Sequence, residues 1–309
     1  IRQLCAAGRL KTMPGVGTFV ASGTSLDGVV MVIRLDSAEM ENTTAVAHDS
    51  IEGAQAACVE AGLPLVLTRS DVDPEKYLRL RYGFLVVIGA ANDADAARWA
   101  QILHTACRPF VSIGVDKGWA NHIQPDGGRI AQSAVEHLYQ SGHRRIALVP
   151  RVSFAGKLRF GPEQVIPHPD LALGVYPFET TGGWDLCRAN LEEAMGRAMS
   201  EWQPTGIVVG PDQFALFGLD YLANRGLRVP EDLSVVTCCP SAFSEWRGLR
   251  ITRVDNPHRE VARRAVEELI KMGGGGGYSC GRIAVAPALF QGETSRLITG
   301  PAGSPRSGT

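Results

Sequence analysis

Asp126 is a carboxylate at the end of a short extended piece, His122 to Gln124, and stands directly before Gly127 and Gly128. A carboxylate at a strand end beside two glycines can accept hydrogen bonds from ligand hydroxyls. The same residue can instead cap the helix that begins at Gly127, and both readings stay open. Asp212 opens a predicted helix after a strand over Ile207 to Val209 and divides in the same way between capping and ligand contact. Asp36 and Ser37, at the end of the first regular strand, are candidates by position. His143, on the turn after a helix, reads as a capping or turn residue rather than a catalyst. Bond-making constellations are missing from the sequence: it has no G-x-S-x-G elbow, no H-E-x-x-H, no phosphate loop of the G-x-x-x-x-G-K-[ST] type and no C-x-x-C pair. No cofactor, metal site or enzymatic activity is therefore expected. Glu192-Glu193 and Glu267-Glu268 fall on predicted helix faces and are expected to be solvated. The seven cysteines are odd in number and lack zinc spacing, so they read as reduced thiols, with Cys58 a small core hydrophobe.

The elements that must position these residues follow one cycle. Val29 to Leu35 is a continuous β-branched run, as expected of a parallel strand covered on both faces. From Thr43 to Gly62, residues Ala47, Ile51, Ala54, Cys58 and Ala61 recur at helical spacing, and Gly62 closes the helix. The cycle repeats with strands at 63–68, 84–88 and 109–115 and helices at 74–81 and 94–106. After Asp126 comes a helix to Gly142. A second round follows, with strands at 146–149, 173–176, 206–209 and 233–237 and helices at 185–202, 214–225 and 259–271. Such βαβα alternation implies mostly parallel sheets with helices on both faces. Two similar α/β lobes result, and two facing lobes would enclose a cleft lined by the carboxyl ends of their strands. Residues 150–170 are too rich in proline and glycine for a long helix. Gly273 to Gly277 reads as a flexible loop.

The 309 residues amount to about two domains of chain. Apolar residues at 45% and charged residues at 20% exclude disordered and fibrous classes. No apolar stretch approaches the roughly 20 residues of a membrane span. The start, IRQLCAAGRLK, has no initiator Met, apolar leader core or cleavage site, and cytoplasmic location is expected. Net charge is −1, yet residues 1–22 carry Arg2, Arg9 and Lys11 and no acid. A basic element on a mildly acidic body suits contact with a polyanion, and also arises by chance.

Residues 1–22 contain Leu4, Ala6, Ala7, Gly8, Arg9 and Leu10, then Gly15-Val16-Gly17-Thr18-Phe19-Val20. A dinucleotide fingerprint is ruled out because no strand precedes the glycines and no helix follows them. The segment resembles the carboxyl end of a GntR-type winged helix, a Gly-capped helix end followed by a hairpin wing. The resemblance implies DNA contact through Lys11, Gly15, Gly17 and Thr18. Val16 stands where that family commonly offers an arginine to the minor groove, which weakens the wing's own contribution.

A broader resemblance runs from about 28 to 296. Asp126 through Ala147, DGGRIAQSAVEHLYQSGHRRIA, is similar to the LacI/GalR effector-domain signature. Pro204-Thr205-Gly206-Ile207, Asp212, Val229-Pro230, Ser234-Val235-Val236 and the closing Gly292-Glu293-Thr294-Ser295 follow the same family. The resemblance implies an effector contact at Asp126. It has departures: Thr237-Cys238-Cys239-Pro240 replaces a strand end that usually carries an aspartate, Pro211 replaces an asparagine, and Arg159 lies near the family's arginine out of register with its glycine. The sugar-recognition set is incomplete, so an apolar or aromatic ligand face stacked on Trp246 and Phe243 is an alternative, beside core packing for both residues.

The expected fold is α/β, two Rossmann-like lobes with parallel sheets (periplasmic binding protein-like, type I) preceded by a winged-helix β-hairpin remnant. The expected division is wing 1–22, first lobe 23–125, second lobe 126–256, a return helix 257–277 to the first lobe, a closing segment 278–299 of the second lobe, and a disordered tail 300–309. The implied function is a ligand-responsive DNA-binding transcriptional regulator, a homodimeric repressor with a small-molecule effector. The effector-site candidates are Asp36, Ser37, Asp126, Arg159, Asp212 and Trp246. A transporter's solute-binding protein and a hydrolase on the same scaffold are the alternatives.

Overall fold

The computed structural model describes residues 10–13, 17–20, 26–34, 44–88, 93–152, 161–179, 184–210, 214–238, 244–274 and 279–298. Strands β1 (Leu10–Met13) and β2 (Gly17–Val20) form an antiparallel hairpin in which Leu10 faces Val20 and Met13 faces Gly17. The chain divides into two units, residues 1–125 with 258–285 and residues 126–257 with 286–309.

The first unit is built on β3 (Gly28–Ile33), β4 (Leu65–Arg69), β5 (Tyr82–Ile88), β6 (Phe110–Gly114), β7 (His122–Pro125) and β16 (Arg282–Val285). They lie in the order β16-β7-β6-β5-β3-β4, every pair parallel. All six residues of β3 are buried, and its period-2 alternation serves both faces. Val29, Met31 and Ile33 pack with Ala54 and Cys58 of α1 (Thr44–Glu60) and with Val261, Ala265 and Leu269 of the helix His258–Gly273. Val30 and Val32 face the opposite way, toward Trp99 and Leu103 of the helix Ala94–Thr105. A continuous apolar strand thus requires helices on both sides. With a short helix at Glu75–Leu78 numbered α2, the helix at 94–105 is α3. Burial pushes the Cys58 thiol up to about 11, so it is an inert core group.

The second unit repeats the plan. Its sheet comprises β8 (Arg145–Val152), β9 (Ala172–Val175), β10 (Phe178–Glu179), β11 (Gly206–Gly210), β12 (Ser234–Cys238), β15 (Arg253–Asp255) and β17 (Ala288–Phe290). The order is β10-β8-β11-β12-β15-β17, with β9 also on β8 and only β17 antiparallel. Ala131, Ala134, Val135 and Leu138 of α4 (Gly127–Gln140) form the stripe expected from the sequence and cover Ile146, Leu148, Val208 and Val236. On the other face, α5 (Trp184–Arg197) and α6 (Phe214–Asn224) bring Leu191, Met195, Phe214 and Leu219 onto Ala147, Val149, Ile207 and Val209. In the described part of 150–170, Pro162–Gln164 makes one 3-10 turn, in keeping with its composition.

Two expectations are corrected. The stretch 278–299 does not belong wholly to the second lobe: Arg282–Val285 pairs in register with β7 in the first unit, and the chain leaves for β17 only afterwards. Glu268, expected to be solvated, is fully buried in α7 (His258–Gly273). It falls on the same helical face as Val261 and Ala265, and its charge is held by Arg264 at 2.9 Å and Lys271 at 2.8 Å from the neighbouring turns.

Helices α1 and α7 approach so closely at Gly53 that an added Cβ would lie 2.0 Å from the Arg259 carbonyl oxygen. Gly53→Ala gains about 1 kcal/mol of helix propensity but forces the helices apart. The expected net loss is about 1–3 kcal/mol, read as a lowered urea midpoint; an unchanged midpoint would refute the close approach.

Candidate functional site

Strands buried on both faces leave their ends as the places where polar side chains can meet a ligand. Asp126 lies there, between β7 and α4. It is the N-cap of α4: Oδ1 accepts a hydrogen bond from the Arg129 backbone N–H at 3.2 Å, and Oδ2 lies 3.4 Å from Arg129 Nε. The carboxylate keeps about a third of its surface in solvent, so capping leaves it reachable. Asp93 caps α3 through Oδ1, which accepts from Ala96 N at 3.1 Å, while its buried Oδ2 accepts no hydrogen bond among the described residues. The sequence reading passed over Asp93; an aspartate before the Ala-rich run ADAARWA was the available signal.

The other candidates divide sharply. Asp36, Ser37, Arg159 and Asp212 lie outside the described residues, as do Phe243 and Gly15. Trp246 sits in a separate two-strand sheet, β13 (Glu245–Trp246) with β14 (Leu249–Arg250), and packs against the second unit's core that includes Phe214 and Leu219 of α6. Its indole N–H donates to Asp220 Oδ1 at 3.0 Å, and the Arg247 guanidinium lies 5.0 Å from its ring centre. Lys11, Gly17 and Thr18 are hairpin positions, Lys11 opposite Phe19, Thr12 opposite Thr18 and Met13 opposite Gly17.

The signature residues of the second unit prove to be scaffold. His143 is buried; Nδ1 lies 3.0 Å from Thr205 Oγ1 and Nε2 3.3 Å from the Arg296 carbonyl. Burial pushes its pKa down to about 4, so the ring is neutral near pH 7. His137 Nε2 lies 2.9 Å from Ser295 Oγ, which donates to Thr252 Oγ1 at 2.9 Å. Thr294 Oγ1 accepts from Thr252 N at 2.9 Å and donates to the Val235 carbonyl at 2.8 Å. The closing segment after β17 is therefore stitched beside β12 and β15 by buried hydroxyls, a role that the sequence reading did not assign to Thr252.

Residues 135–295 match the model of the periplasmic binding protein-like domain, more than half of the chain. The chain belongs to this family. Among curated relatives it is 28% identical over 211 residues to an uncharacterized HTH-type transcriptional regulator in the aml 5′ region of Streptomyces limosus, covering 61% of this chain and 54% of that protein. It is 26% identical over 237 residues to the HTH-type transcriptional repressor PurR of Aliivibrio fischeri strain MJ11, covering 72% and 68%. The chain thus spans about half the length of the first of these. Among solved structures, the transcriptional regulator CelR in complex with cellobiose superposes with a TM-score of 0.62 at 20% identity, covering 95% of this chain and 89% of that one. This periplasmic binding protein-like chain therefore has the two-unit parallel α/β fold expected of it. None of its described helices is long and apolar enough to cross a membrane.

Two outcomes test the scaffold. Thr294→Val keeps the shape but strands a buried N–H and a buried carbonyl, and should cost about 2 kcal/mol or more in urea unfolding. Between pH 6.5 and 4 the unfolded chain binds a proton that native His143 rejects, so its contribution is complete above pH 6.5 and is lost as pH falls toward 4. Burial lowers His122 and His137 in the same direction. His143→Gln should therefore flatten the stability-versus-pH slope in that window without abolishing it, and an unaltered slope would contradict the assignment.

Proposed function

We propose that this chain is the effector-binding and dimerisation part of a ligand-responsive DNA-binding transcriptional regulator, a repressor rather than an enzyme. The sensing part is of the LacI/GalR type, and residues 1–22 are the end of a GntR-type winged helix. The observation that carries this reading is the alignment of 61–72% of the chain with HTH-type regulators. The winged-helix assignment draws support from the β1–β2 hairpin, whose register puts Lys11 and Thr18 on adjacent strands. The switch is two-state: an effector with higher affinity for one arrangement of the chain shifts the population toward it, and a homodimer passes that shift to its DNA-reading heads. Asp126 is the described residue proposed for effector contact, with Asp36, Ser37, Arg159 and Asp212 as its partners by sequence.

The cellobiose-bound relative makes sugars the first class to screen, followed by purines and aromatic acids. An effector at a hundred times its Kd should stabilise the chain by about 2.7 kcal/mol, visible as a raised melting temperature. Asp126→Asn retains a good cap, so the unliganded melting temperature should hold while the effector-induced rise shrinks. An undiminished rise would leave Asp126 a cap alone.

A further inference from the structure

On α1, His48, Asp49 and Glu52 bring one ligand atom each to within 4.8 Å of one another. His48 Nδ1 lies 3.9 Å from Glu52 Oε2 and 4.0 Å from Asp49 Oδ1. His48 and Glu52 are four residues apart, the spacing that puts two side chains on one helical face. His48 is exposed and Glu52 half-exposed, whereas Asp49 is 4% exposed. The pKa of Asp49 is raised by burial, with the charges of Arg259 and His48 acting against that rise. An ionised carboxylate at so buried a position is stabilised by a neighbouring cation. One such cation is Arg259 of α7, whose charge acts on Asp49 and whose guanidinium pairs with Glu52.

We propose that His48, Asp49 and Glu52 form a binding site for a divalent transition-metal ion, and that the ion displaces Arg259 from Glu52. The donor set sets the class. One imidazole nitrogen with two carboxylates suits zinc, nickel or copper, whereas magnesium prefers an all-oxygen octahedron. Two carboxylates neutralise a dication, and the exposed side of His48 leaves coordination positions to water. In a tetrahedral site with bonds of about 2.1 Å, neighbouring ligand atoms stand about 3.4 Å apart. The 3.9 and 4.0 Å pairs are close to that spacing. Glu52 completes the closure only by leaving Arg259, so guanidinium and metal compete for one carboxylate.

The competition supplies the test. The intact 309-residue chain is titrated calorimetrically with zinc chloride, and separately with magnesium chloride. One zinc equivalent with no comparable magnesium binding is expected. His48→Ala changes an exposed side chain and should weaken zinc at least about tenfold, as should Asp49→Asn. Arg259→Gln removes the competitor and should tighten zinc. Circular dichroism establishes that each variant is folded. Absence of zinc binding, zinc affinity unchanged in His48→Ala (ions held by cysteines elsewhere), or weaker zinc in Arg259→Gln would each overturn the site. These readouts use no effector and stand apart from the regulatory reading.

Discussion

The controlling constraint is that the central strands are apolar on both faces. In β3 and β12 every residue is buried, so neither sheet can turn a face to water. Each sheet must be roofed by helices on both sides, and the alternation of Val29, Met31 and Ile33 against Val30 and Val32 apportions one strand between two cores. At about 25 cal/mol per Å² of apolar surface, that burial dominates the stability of both units. It also limits where function can sit. With both faces closed, polar chemistry is confined to strand ends, helix termini and the outer surfaces of helices.

The second unit shows how polar groups are accommodated within that constraint. The closing segment passes beside β12 and β15, where backbone groups would otherwise be buried without partners. Thr294 and Thr252 satisfy them with short side-chain hydroxyls, and Ser295 Oγ ties Thr252 Oγ1 to His137. His143 holds Thr205 on one side and the Arg296 carbonyl on the other. Burial, not the partners, keeps this imidazole neutral near pH 7. The polar members of the signature, His137, His143, Thr294 and Ser295, are thus explained by satisfied hydrogen bonds, and its apolar members by packing on the sheet.

What was legible in the sequence follows from the same physics. Strands buried on both faces announce themselves as apolar runs, and β3, β5, β8, β11 and β12 were all readable in this way. Strands β16 and β17 were not. In β16, exposed Arg282 alternates with half-buried Ile283, and all three residues of β17 are exposed, so neither carries a hydrophobic signal. Glu268 was misread because charge was taken as exposure, when Arg264 and Lys271 one turn away on either side make its burial tolerable. At the candidate site, Asp126 was legible as a residue but not as a role, since a cap and a ligand contact demand the same carboxylate before the same helix.

That ambiguity constrains the ligand. As an N-cap, Asp126 lies at the positive end of the α4 dipole. An ionised carboxylate only accepts hydrogen bonds. Oδ1 is engaged by the Arg129 N–H, and Oδ2 faces the Arg129 guanidinium at 3.4 Å with a third of the side chain in solvent. An effector that meets this group has to bring donors, hydroxyls or an ammonium, and an anionic substituent placed there would meet repulsion. A sugar satisfies the requirement, as does a neutral base with an exposed amine, whereas a ligand whose only polar group is a carboxylate does not.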